Sequence, residues 1–575
     1  MQSLARRAVR IAMVIGLFAI GTTSRSASQT DGQYFLPLVA RTYTTLVGKS
    51  AGVWMQEGGN PQRTGYTAVD PATPWTLLWS WNAATPAGSA DCPDGNPEHG
   101  HCYAANKQPY SAAGAGLIFI PAGAQGLYAV FDHTGKTAWH LGGGVFNATP
   151  AVAGGFVFAG SADGRLFKVD VGSGGAQVYH TGSPINRGVL VAGGAVYVLT
   201  ENGRLHKVDP VTLTAEWIYD AGAGAINGTG LAYSATRDVV LFGADDLTVH
   251  AVNAASGTRK WRAKPTPNPP GFPNQFLMNW PVVAEVNGLV LVRMRLSHPD
   301  TLWQFPRVQS NAEARAYLTA NPAKQNLFAL GLDDGAARFV PAVGFGGHEY
   351  QSTEPAALPT CGSSISCAYL MVGPAPVVKV QPDGSEVAYV PFRSQQGNPN
   401  DARWDSHLGE MVLNDATLAG LAAGDLRWVQ MGRRDSYIYI TDELGEISMA
   451  GDVLFHAHWG ANETIRIVNR AANLGLTAAN PIVTAELPTL IRRIEACGTP
   501  NTVTHYTTCG MVLYGDTRYW ASPGFWMYWN ARPTLATGIS GDLMSKGYTY
   551  VTGDLIVMQG LSGEVLVFKH SGVAP

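Results

Sequence analysis

Asparagine recurs at one position of a regular pattern in the first half of the chain. Each asparagine follows an apolar residue and precedes a short segment of alternating apolar and polar residues; the pairs are Phe146-Asn147, Ile185-Asn186, Ile226-Asn227 and Met278-Asn279. A carboxamide both donates and accepts hydrogen bonds, so several that face a common point can hold one polar ligand. The alternative is that each asparagine caps a turn by bonding to its own backbone.

A second set of residues that can bind a ligand lies at the corresponding positions of the later chain. These residues are Trp280, Gln351, Arg403, Trp404, Asp405 and His407. Their guanidinium, aromatic, carboxylate and imidazole groups are suited to an anionic or sugar-like ligand. No metal-ligand spacing such as HExxH accompanies them, and no metal site is predicted. The carboxylates of Asp405 and Glu410 leave a carbohydrate-active enzyme open as an alternative.

Both sets depend on a repeated structural unit that must position them. Residues 148–180 alternate apolar and polar residues, and the alternation breaks at Gly154-Gly155, Asp163-Gly164 and Gly174-Gly175. This pattern predicts four short antiparallel strands joined by tight turns. One such sheet leaves both of its faces open, so similar sheets must pack against it.

The third strand of this unit, with the turn that follows it, recurs along the chain. Clear copies begin at Ala129, Lys168, Lys207, Ala251 and Ala329, and weaker copies lie at Val378–Gly384, Ile467–Asn473 and Leu566–Gly572. Ten residues after the start, four of the clear copies carry a large aromatic residue (Trp139, Trp217, Trp261 and Phe339), whereas the second copy carries Val178. Eight copies predict eight blades around a common axis, with seven blades as the alternative.

These segments resemble the A-x-D-x-x-T-G-K-x-x-W repeat of the pyrroloquinoline quinone enzymes, the quinoprotein β-propellers. The resemblance extends over residues 110–345. It implies an all-β, eight-bladed propeller of four-stranded antiparallel blades, with loop and helix insertions in the later blades. It also implies that the final tryptophan of each repeat packs between neighbouring blades.

The segment Trp75–Trp81 is a strand without a blade of its own, and the last repeat ends too near the C-terminus to be followed by a fourth strand. We therefore expect residues 75–81 to complete the last blade. This pairing closes the ring and covers the edge of the last blade.

The remaining domain organisation follows from composition. Residues 1–28 are predicted to be a signal peptide, because three arginines precede the apolar run Ile11–Gly21 and a small-residue exit. That run is shorter than the ~20 residues needed to span a bilayer. Residues 29–58 are expected to form an N-terminal tether and residues 59–575 the propeller. Insertions are expected near 294–325, with a helix over Asn311–Thr319, and near 395–535.

All six cysteines fall into close pairs, which are Cys92 and Cys102, Cys361 and Cys367, and Cys497 and Cys509. Close pairs predict three local disulfides in an oxidising compartment, and the alternative at the first pair is a metal clip, because Cys92 lies near His99 and His101. We therefore expect a secreted, extracytoplasmic protein, in the periplasm or on the cell surface, with no transmembrane segment in the mature chain. The formal net charge of -3 provides no basic face for nucleic acid.

The sequence defines the function less narrowly than the fold. The resemblance implies pyrroloquinoline quinone and calcium in the dehydrogenases, but the chain has no vicinal Cys-Cys pair and no CxxCH motif. No cofactor is therefore predicted. The leading hypothesis is a non-catalytic propeller that binds a protein, glycan or other cell-envelope component through one face. A diverged quinone-dependent dehydrogenase and the carbohydrate-active enzyme are the alternatives.

Overall fold

A computed structural model of the chain shows mostly β-structure. It describes residues 53–69, 71, 75–81, 110–222, 229–268, 280–294, 311–343, 347–348, 370–371, 374–394, 405–414, 421–431, 439–440, 447–451, 453–459, 492–495, 510–514, 517–522, 548–559 and 565–570. Within these ranges one α-helix, α1 (Asn311–Ala320), is followed by a short 3-10 helix, Pro322–Lys324. No helix in the same ranges is long and apolar enough to cross a lipid bilayer.

The strands form a series of four-stranded antiparallel blades. Two strands precede the first blade: β1 (Tyr66–Thr67) and β2 (Trp75–Trp81). Blade 1 consists of β3 (Ala112–Gly114), β4 (Leu117–Pro121), β5 (Leu127–Phe131) and β6 (Thr137–Leu141). Blade 2 consists of β7 (Ala151–Ala153), β8 (Phe156–Gly160), β9 (Arg165–Asp170) and β10 (Ala176–His180). Blade 3 consists of β11 (Leu190–Ala192), β12 (Ala195–Leu199), β13 (Arg204–Val208) and β14 (Ala215–Asp220).

The later blades follow the same order. Blade 4 consists of β15 (Ala232–Ser234), β16 (Val239–Gly243), β17 (Val249–Asn253) and β18 (Arg259–Ala263). Blade 5 consists of β19 (Val282–Ala284), β20 (Leu289–Arg293), β21 (Leu327–Gly331) and β22 (Ala337–Phe339), and α1 lies between β20 and β21. A two-stranded pair, β23 (Gly347–His348) and β24 (Leu370–Met371), precedes blade 6, which consists of β25 (Val377–Val380), β26 (Glu386–Ser394), β27 (Asp405–Val412) and β28 (Leu426–Met431).

The next sheet is not a four-stranded blade. Its strands are β29 (Tyr439–Ile440), β30 (Ser448–Ala450), β31 (Val453–Trp459), β32 (Arg492–Glu495), β33 (Gly510–Tyr514) and β34 (Thr517–Ser522), together with β1. β1 pairs with β30 in parallel, and β31 pairs with β34 in parallel. Parallel neighbours cannot be joined by the tight turns that connect the strands of a blade. This sheet is therefore mixed.

Blade 7 is completed by a strand from far earlier in the chain. It consists of β35 (Tyr548–Thr552), β36 (Leu555–Gln559) and β37 (Val565–His570), and β2 lies antiparallel to β37. The described residues thus contain seven four-stranded blades, and the prediction of eight is wrong. One reason is that the weak repeat copy at Val378 is not a third strand, because Val378 lies in β25, the first strand of blade 6.

A single segment, residues 53–69, binds the innermost strand of one sheet after another, and we call it the axial segment. Backbone N–H groups of seven inner strands donate to it in chain order at 2.8–3.0 Å. The donor–acceptor pairs are Ala113–Trp54, Val152–Met55, Val191–Gln56 (side chain), Tyr233–Pro61, Val283–Gln62, Val378–Thr64 and Met449–Gly65. The last donor lies in β30, so the mixed sheet also takes a place around the axis, after blade 6.

The axial segment begins within the residues that were expected to form a tether. Residues 53–58 were assigned to a tether, yet they already bind blades 1 to 3. Blade 7 meets the segment through aromatic rings, because Trp54 stacks on Tyr550 with 5.3 Å between ring centroids and packs edge-on against Tyr548. The propeller body therefore includes these six residues.

The repeated tryptophan and glycine form the junctions between neighbouring blades. The indole N–H of Trp217 in blade 3 donates to the carbonyl of Ala254 in blade 4 at 3.0 Å, and Gly257 in the same turn lies under the ring with φ +71°. The same bond and the same glycine contact recur for Trp79, Trp139 and Trp261. The repeat motif thus encodes a contact between blades.

The second repeat departs from this rule. In blades 1, 3, 4 and 5 the last two strands pair with a β-bulge that shifts their register. In blade 2, β9 and β10 pair without such a shift. Val178 is therefore opposite Phe167 and is 36% exposed. On the next blade, Leu213 adopts φ +53° at the position that glycine holds elsewhere. The junction between blades 2 and 3 is thus built differently.

Replacing Gly257 with alanine tests the junction. A Cβ atom at this position would lie 2.6 Å from the Trp217 ring, and we expect a loss of about 1–3 kcal/mol from overpacking in addition to the backbone strain of a positive φ. Gly155→Ala is the matched control, since Gly155 has φ +82° and no atom within 4 Å of an added Cβ. Denaturant unfolding measures both variants. Equal losses would show that the indole moves aside without cost.

Two buried histidines link blades 2, 3 and 4. The Nδ1 atoms of His206 and His250 lie 3.0 Å from the hydroxyl groups of Tyr179 and Tyr219, respectively, on the preceding blades. His206 and His250 are 2% and 0% exposed. Burial, together with Arg204 near His206 and Arg262 near His250, lowers the pKa of each imidazole to about 4.

These histidines make stability depend on pH. Their folded pKa is below the unfolded value of about 6.5, so the unfolded chain binds protons more readily and stability falls as pH drops from about 6.5 towards 4. His206→Phe, which copies Phe167 at the same position of blade 2, combined with His250→Phe, should flatten this part of the pH profile. Thermal melts at pH 4.5, 5.5 and 7 measure the slope. An unchanged slope in the double variant would assign the pH dependence to other groups.

Candidate functional site

The asparagines of blades 2 and 3 meet at one end of the propeller axis. We call the end at which the chain comes into each inner strand the top face. Asn147 Nδ2 lies 3.5 Å from Asn186 Oδ1, and Asn186 Nδ2 donates to a carboxylate oxygen of Glu201, on the loop between β12 and β13. These side-chain bonds join adjacent blades rather than a single turn. Asn186 is buried, whereas Asn147 and Glu201 are partly exposed.

Glu57 of the axial segment lies directly beneath this network. Its Oε1 atom is 3.5 Å from the hydroxyl group of Thr149, which also accepts the backbone N–H of Tyr110. Its Oε2 atom is buried and has no hydrogen-bond partner among the described residues. Gly188 is in contact with this oxygen, since an added Cβ would lie 2.6 Å from it, and Gly230 is closer still. Burial raises the pKa of Glu57, although Arg63 and Arg187 oppose the shift.

Arg187 follows Asn186 and lies among three carboxylates. Burial lowers the pKa of its guanidinium, and the negative charges of Glu57, Asp245 and Glu201 oppose that shift. Asp245 is on the loop between β16 and β17 of blade 4, so the charges that act on this arginine come from the axial segment and from two blades. We define the axial polar cluster as Glu57, Asn147, Asn186, Arg187, Glu201 and Asp245. The charges of three carboxylates act on Arg187 in this cluster.

A second arginine fixes Glu57 from inside the core. Arg63 is fully buried, and its guanidinium donates to the backbone carbonyls of Leu231, Val189 and Glu57. Burial lowers the pKa of Arg63 to about 10, and Glu57 is the main opposing charge. The residue also holds φ at +59°, a conformation that costs about 1–2 kcal/mol for a residue with a Cβ. Its three carbonyl bonds offset that strain.

Aromatic rings line the axis beside the cluster. Trp280 precedes β19 of blade 5 and packs edge-on against Tyr110 and Tyr548, with ring centroids 6.3 and 6.4 Å apart. Gly230 separates Trp280 from Glu57, because its added Cβ would lie 3.0 Å from the Trp280 Cβ and closer still to Glu57. Trp280 therefore lies close to the axial segment, on the other side of Gly230 from Glu57.

The other residues proposed from sequence are placed differently or are not described. Asp405 and His407 lie in β27, the third strand of blade 6, and not before an inner strand. Asp405 and Glu410 are five residues apart on this extended strand, so their Cα atoms are about 16 Å apart. Paired glycosidase carboxylates are only roughly 5–9.5 Å apart. This spacing does not support a carboxylate pair.

Several of the proposed positions lie outside the described residues. They are Asn227, Asn279, Gln351, Arg403, Trp404 and the six cysteines Cys92, Cys102, Cys361, Cys367, Cys497 and Cys509, together with the predicted signal peptide. Their roles remain predictions.

Sequence reasoning missed the charged members of the cluster. Arg187 follows a recurring asparagine, but no other blade has an arginine there, so the repeat gave no signal. Glu201 and Asp245 share one register, each two residues past the end of a second strand. That coincidence is visible in the sequence once the strand ends are known. Glu57 was missed because it precedes all the repeats.

The described residues do not fit a bound quinone cofactor of the pyrroloquinoline type. That cofactor is a tricarboxylate, and its carboxylates need cations or a metal ion. Here the charges of three carboxylates already act on Arg187, and the guanidinium of Arg63 is bound to carbonyls. No group of three or more His, Cys, Asp or Glu side chains within the described ranges is arranged to hold a metal ion.

Comparison with known proteins finds similar repeats. Residues 123–271 match the family model described as outer membrane protein assembly factor BamB. No curated protein matches the sequence. BamB from Moraxella catarrhalis aligns with a TM-score of 0.44 and 12% identity, covering 87% of this chain and 98% of that one.

Two quinohemoprotein alcohol dehydrogenases align as well. ADHIIG from Pseudomonas putida HK5 has a TM-score of 0.49 and 13% identity, covering 92% of this chain and 81% of its own. The enzyme from Comamonas testosteroni has a TM-score of 0.49 and 12% identity, and the alignment covers 90% of this chain and 80% of the enzyme. Similarities at this level say nothing about activity.

Substitution of Arg63 tests how the axial segment supports the site. Arg63→Met should lower the free energy of unfolding by about 3–5 kcal/mol, because three buried carbonyls and Glu57 lose their cationic partner. Arg204→Met is the control, since its ion pair with Asp220 is more than half exposed and should contribute less than about 1 kcal/mol. Guanidinium denaturation midpoints compare the two. Similar midpoints would show that Arg63 is dispensable for docking the axial segment.

Proposed function

We propose that this chain, a β-propeller with repeats of the quinoprotein type, is a non-catalytic extracytoplasmic protein that binds a protein, glycan or other cell-envelope component on its top face. The repeat type rests on the match over residues 123–271, whose description names an outer membrane protein assembly factor. That description supports a role in the cell envelope. The predicted signal peptide and paired cysteines point to the same compartment.

The position of the axial segment is the observation that carries this proposal. Residues 53–69 fill the centre of the ring and use their own carbonyls to satisfy the inner strands. Among the described residues, the groups at the top of the axis include the amides of Asn147 and Asn186, the carboxylate of Glu201 and the partly exposed Arg187. This arrangement favours recognition of a polar surface or ligand over retention of an anionic redox cofactor.

The experiment compares binding with cofactor chemistry on the purified full-length chain. In one arm, the protein is mixed with pyrroloquinoline quinone and calcium chloride, dialysed, and examined for a bound chromophore and for alcohol-dependent dye reduction. In the other, it is screened on a glycan array and against purified envelope proteins, and each hit is confirmed by saturable titration. We expect no stoichiometric chromophore and at least one saturable ligand.

The variant Asn186→Ala tests whether the confirmed ligand binds at the top face. Each shared hydrogen bond contributes about 0.5–1.5 kcal/mol, so the variant should lower the affinity for the confirmed ligand by a factor of about two to ten. Asn253→Ala is the control, because this asparagine bonds within the turn that follows the third strand of blade 4. Stoichiometric quinone binding with dye reduction would contradict the proposal. Equal effects of the two variants on affinity would show that the ligand binds somewhere other than the top face.

A further inference from the structure

The turn between β5 and β6 attaches blade 1 to blade 7 at the end of the propeller opposite the top face. The indole N–H of Trp79, in the closing strand β2, donates to the backbone carbonyl of Asp132 at 2.7 Å. Gly135 in the same turn lies under the indole ring, since an added Cβ would be 2.7 Å from it. The closure of the ring therefore depends in part on this one turn.

His133 lies in the same turn and bridges to blade 7. Its Nδ1 atom is 2.7 Å from a carboxylate oxygen of Asp132, and its Nε2 atom is 3.2 Å from a carboxylate oxygen of Asp554, in the turn between β35 and β36. Both ring nitrogens thus face groups that, when ionised, only accept hydrogen bonds. A neutral imidazole donates from one nitrogen only, so this geometry fits the imidazolium ion.

Loss of one proton from His133 releases one of the two contacts. Asp132 is its neighbour in the chain, so a neutral imidazole keeps its Nδ1–H bond to Asp132 and presents a lone pair to Asp554. Asp554 retains a partner within its own blade, because the ammonium group of Lys569 in β37 lies 3.6 Å from its carboxylate. The contact that is lost is therefore the one between the blades.

The corresponding position of another junction holds a contact that does not titrate near neutral pH. Asp333 of blade 5 and His133 both lie two residues before the turn glycine that packs under an indole ring. Asp333 pairs with Arg237, in the first turn of blade 4, at 3.5 Å and with Lys260 at 3.4 Å. Both cations keep their charge between pH 5 and 8. The junction between blades 7 and 1 differs because its cation is a histidine.

The neighbouring carboxylates determine the pH range in which His133 changes charge. Burial lowers the pKa of His133, but the hydrogen bonds and charges of Asp132 and Asp554 outweigh burial and raise the pKa above the usual value of about 6.5. The contribution of the imidazolium ion is therefore complete below about pH 6.5, and it is lost as the pH rises through the higher value of the folded protein.

Three further titratable groups lie near this contact. Lys569 pairs with Asp554, and Lys136 is exposed on the same turn as His133. His570 at the end of β37 is buried, with its Nε2 atom 3.0 Å from the carbonyl of a residue next to Asp554. Of the three, only the histidine can change charge near neutral pH, so a test must separate it from His133.

We propose that His133 is a pH-sensitive contact on the closure of the ring, which joins blade 1 to blade 7 as an imidazolium ion and releases blade 7 as a neutral imidazole. The contact acts on closure because Trp79 of the closing strand docks on the same turn. The junction between blades 7 and 1 is therefore tighter in mildly acidic than in alkaline surroundings. This inference is independent of the ligand that the top face binds.

Two N–H groups cross this junction and report its opening by hydrogen exchange. They are the indole N–H of Trp79 and the backbone N–H of Ser111, which donates to the side chain of Gln559 in blade 7 at 2.6 Å. Their protection factors, corrected for the intrinsic effect of pH on exchange, are measured at pH 6 and pH 8 in the full-length protein at low, constant ionic strength. We expect protection to be lower at pH 8 by a factor of about two to five, as is typical of a half-exposed ion pair.

The indole N–H of Trp261 provides the matched control. It donates to the carbonyl of Leu332 across the junction between blades 4 and 5, where the cations do not titrate, so its protection should be equal at the two pH values. The buried His206 and His250 stay neutral at both, because their pKa values are about 4.

Substitutions assign the pH effect to His133. His133→Gln and Asp554→Asn should each abolish the difference in protection between pH 6 and pH 8 at Trp79 and Ser111. Asp333→Asn, which weakens the contact between blades 4 and 5, should leave that difference unchanged. Exchange of the histidine C2 hydrogen, followed by mass spectrometry, measures the pKa of His133 itself, which should fall in Asp554→Asn.

Three results would overturn the proposal. Equal protection at pH 6 and pH 8 in the unmodified protein would show that His133 does not act on the junction. A difference that persists in His133→Gln would assign the effect to His570 or to another group. Loss of the difference in Asp333→Asn as well would show that it reflects the overall charge of the protein.

Discussion

The fold depends on how the inner edge of each blade is satisfied. The innermost strand of a blade has one neighbour, so half of its backbone N–H and C=O groups face the axis, where unpaired groups are costly. Residues 53–69 meet this requirement with one acceptor for each inner strand of blades 1–6 and for β30. Because the acceptors follow the order of the blades, the segment also fixes the angular sequence of the ring.

This constraint connects the ring to the site. A segment that contacts all seven blades and β30 must run close to the axis, and Glu57 therefore lies against Gly188 and Gly230, which precede β11 and β15. Arg63 connects the same places, since it donates to the carbonyls of Val189 and Leu231. The blades contribute the amides and two of the acids, and the axial segment contributes the third acid. The cluster exists only when the segment and the blades are assembled.

The sequence predicted the features that repeat and missed those that do not. The tryptophan at the end of a repeat and the glycine of the next turn recur because most of the junctions use the same contact, so blades 1–5 could be located from spacing even though the second repeat lacks the tryptophan. The third strand of blade 6, β27, has no such motif, and the inner strand at Val378 was mistaken for it. The mixed sheet contains parallel pairs that local alternation cannot reveal.

The axial segment shows why part of the site was also hidden from the sequence. Its contacts are made through backbone carbonyls and one glutamine side chain, so the residue types at most of its positions carry no periodic signal. Residues 53–58 therefore looked like a tether. Asn147, Asn186 and Trp280 were recognised because they precede inner strands in a regular register, whereas Glu57 has no counterpart in any blade.

The distribution of charge follows from the different uses of the two arginines. The chain as a whole is close to neutral, with 39 lysines and arginines against 42 acidic residues. Arg63 is used inside the core on carbonyl oxygens, where its charge offsets the field of Glu57 but cannot reach a ligand. Arg187 lies at the top of the axis instead, where the charges of Glu57, Glu201 and Asp245 oppose the effect of burial on its pKa. Glu57 is thus opposed by two guanidinium groups, one from the axial segment itself and one from the residues that precede blade 3.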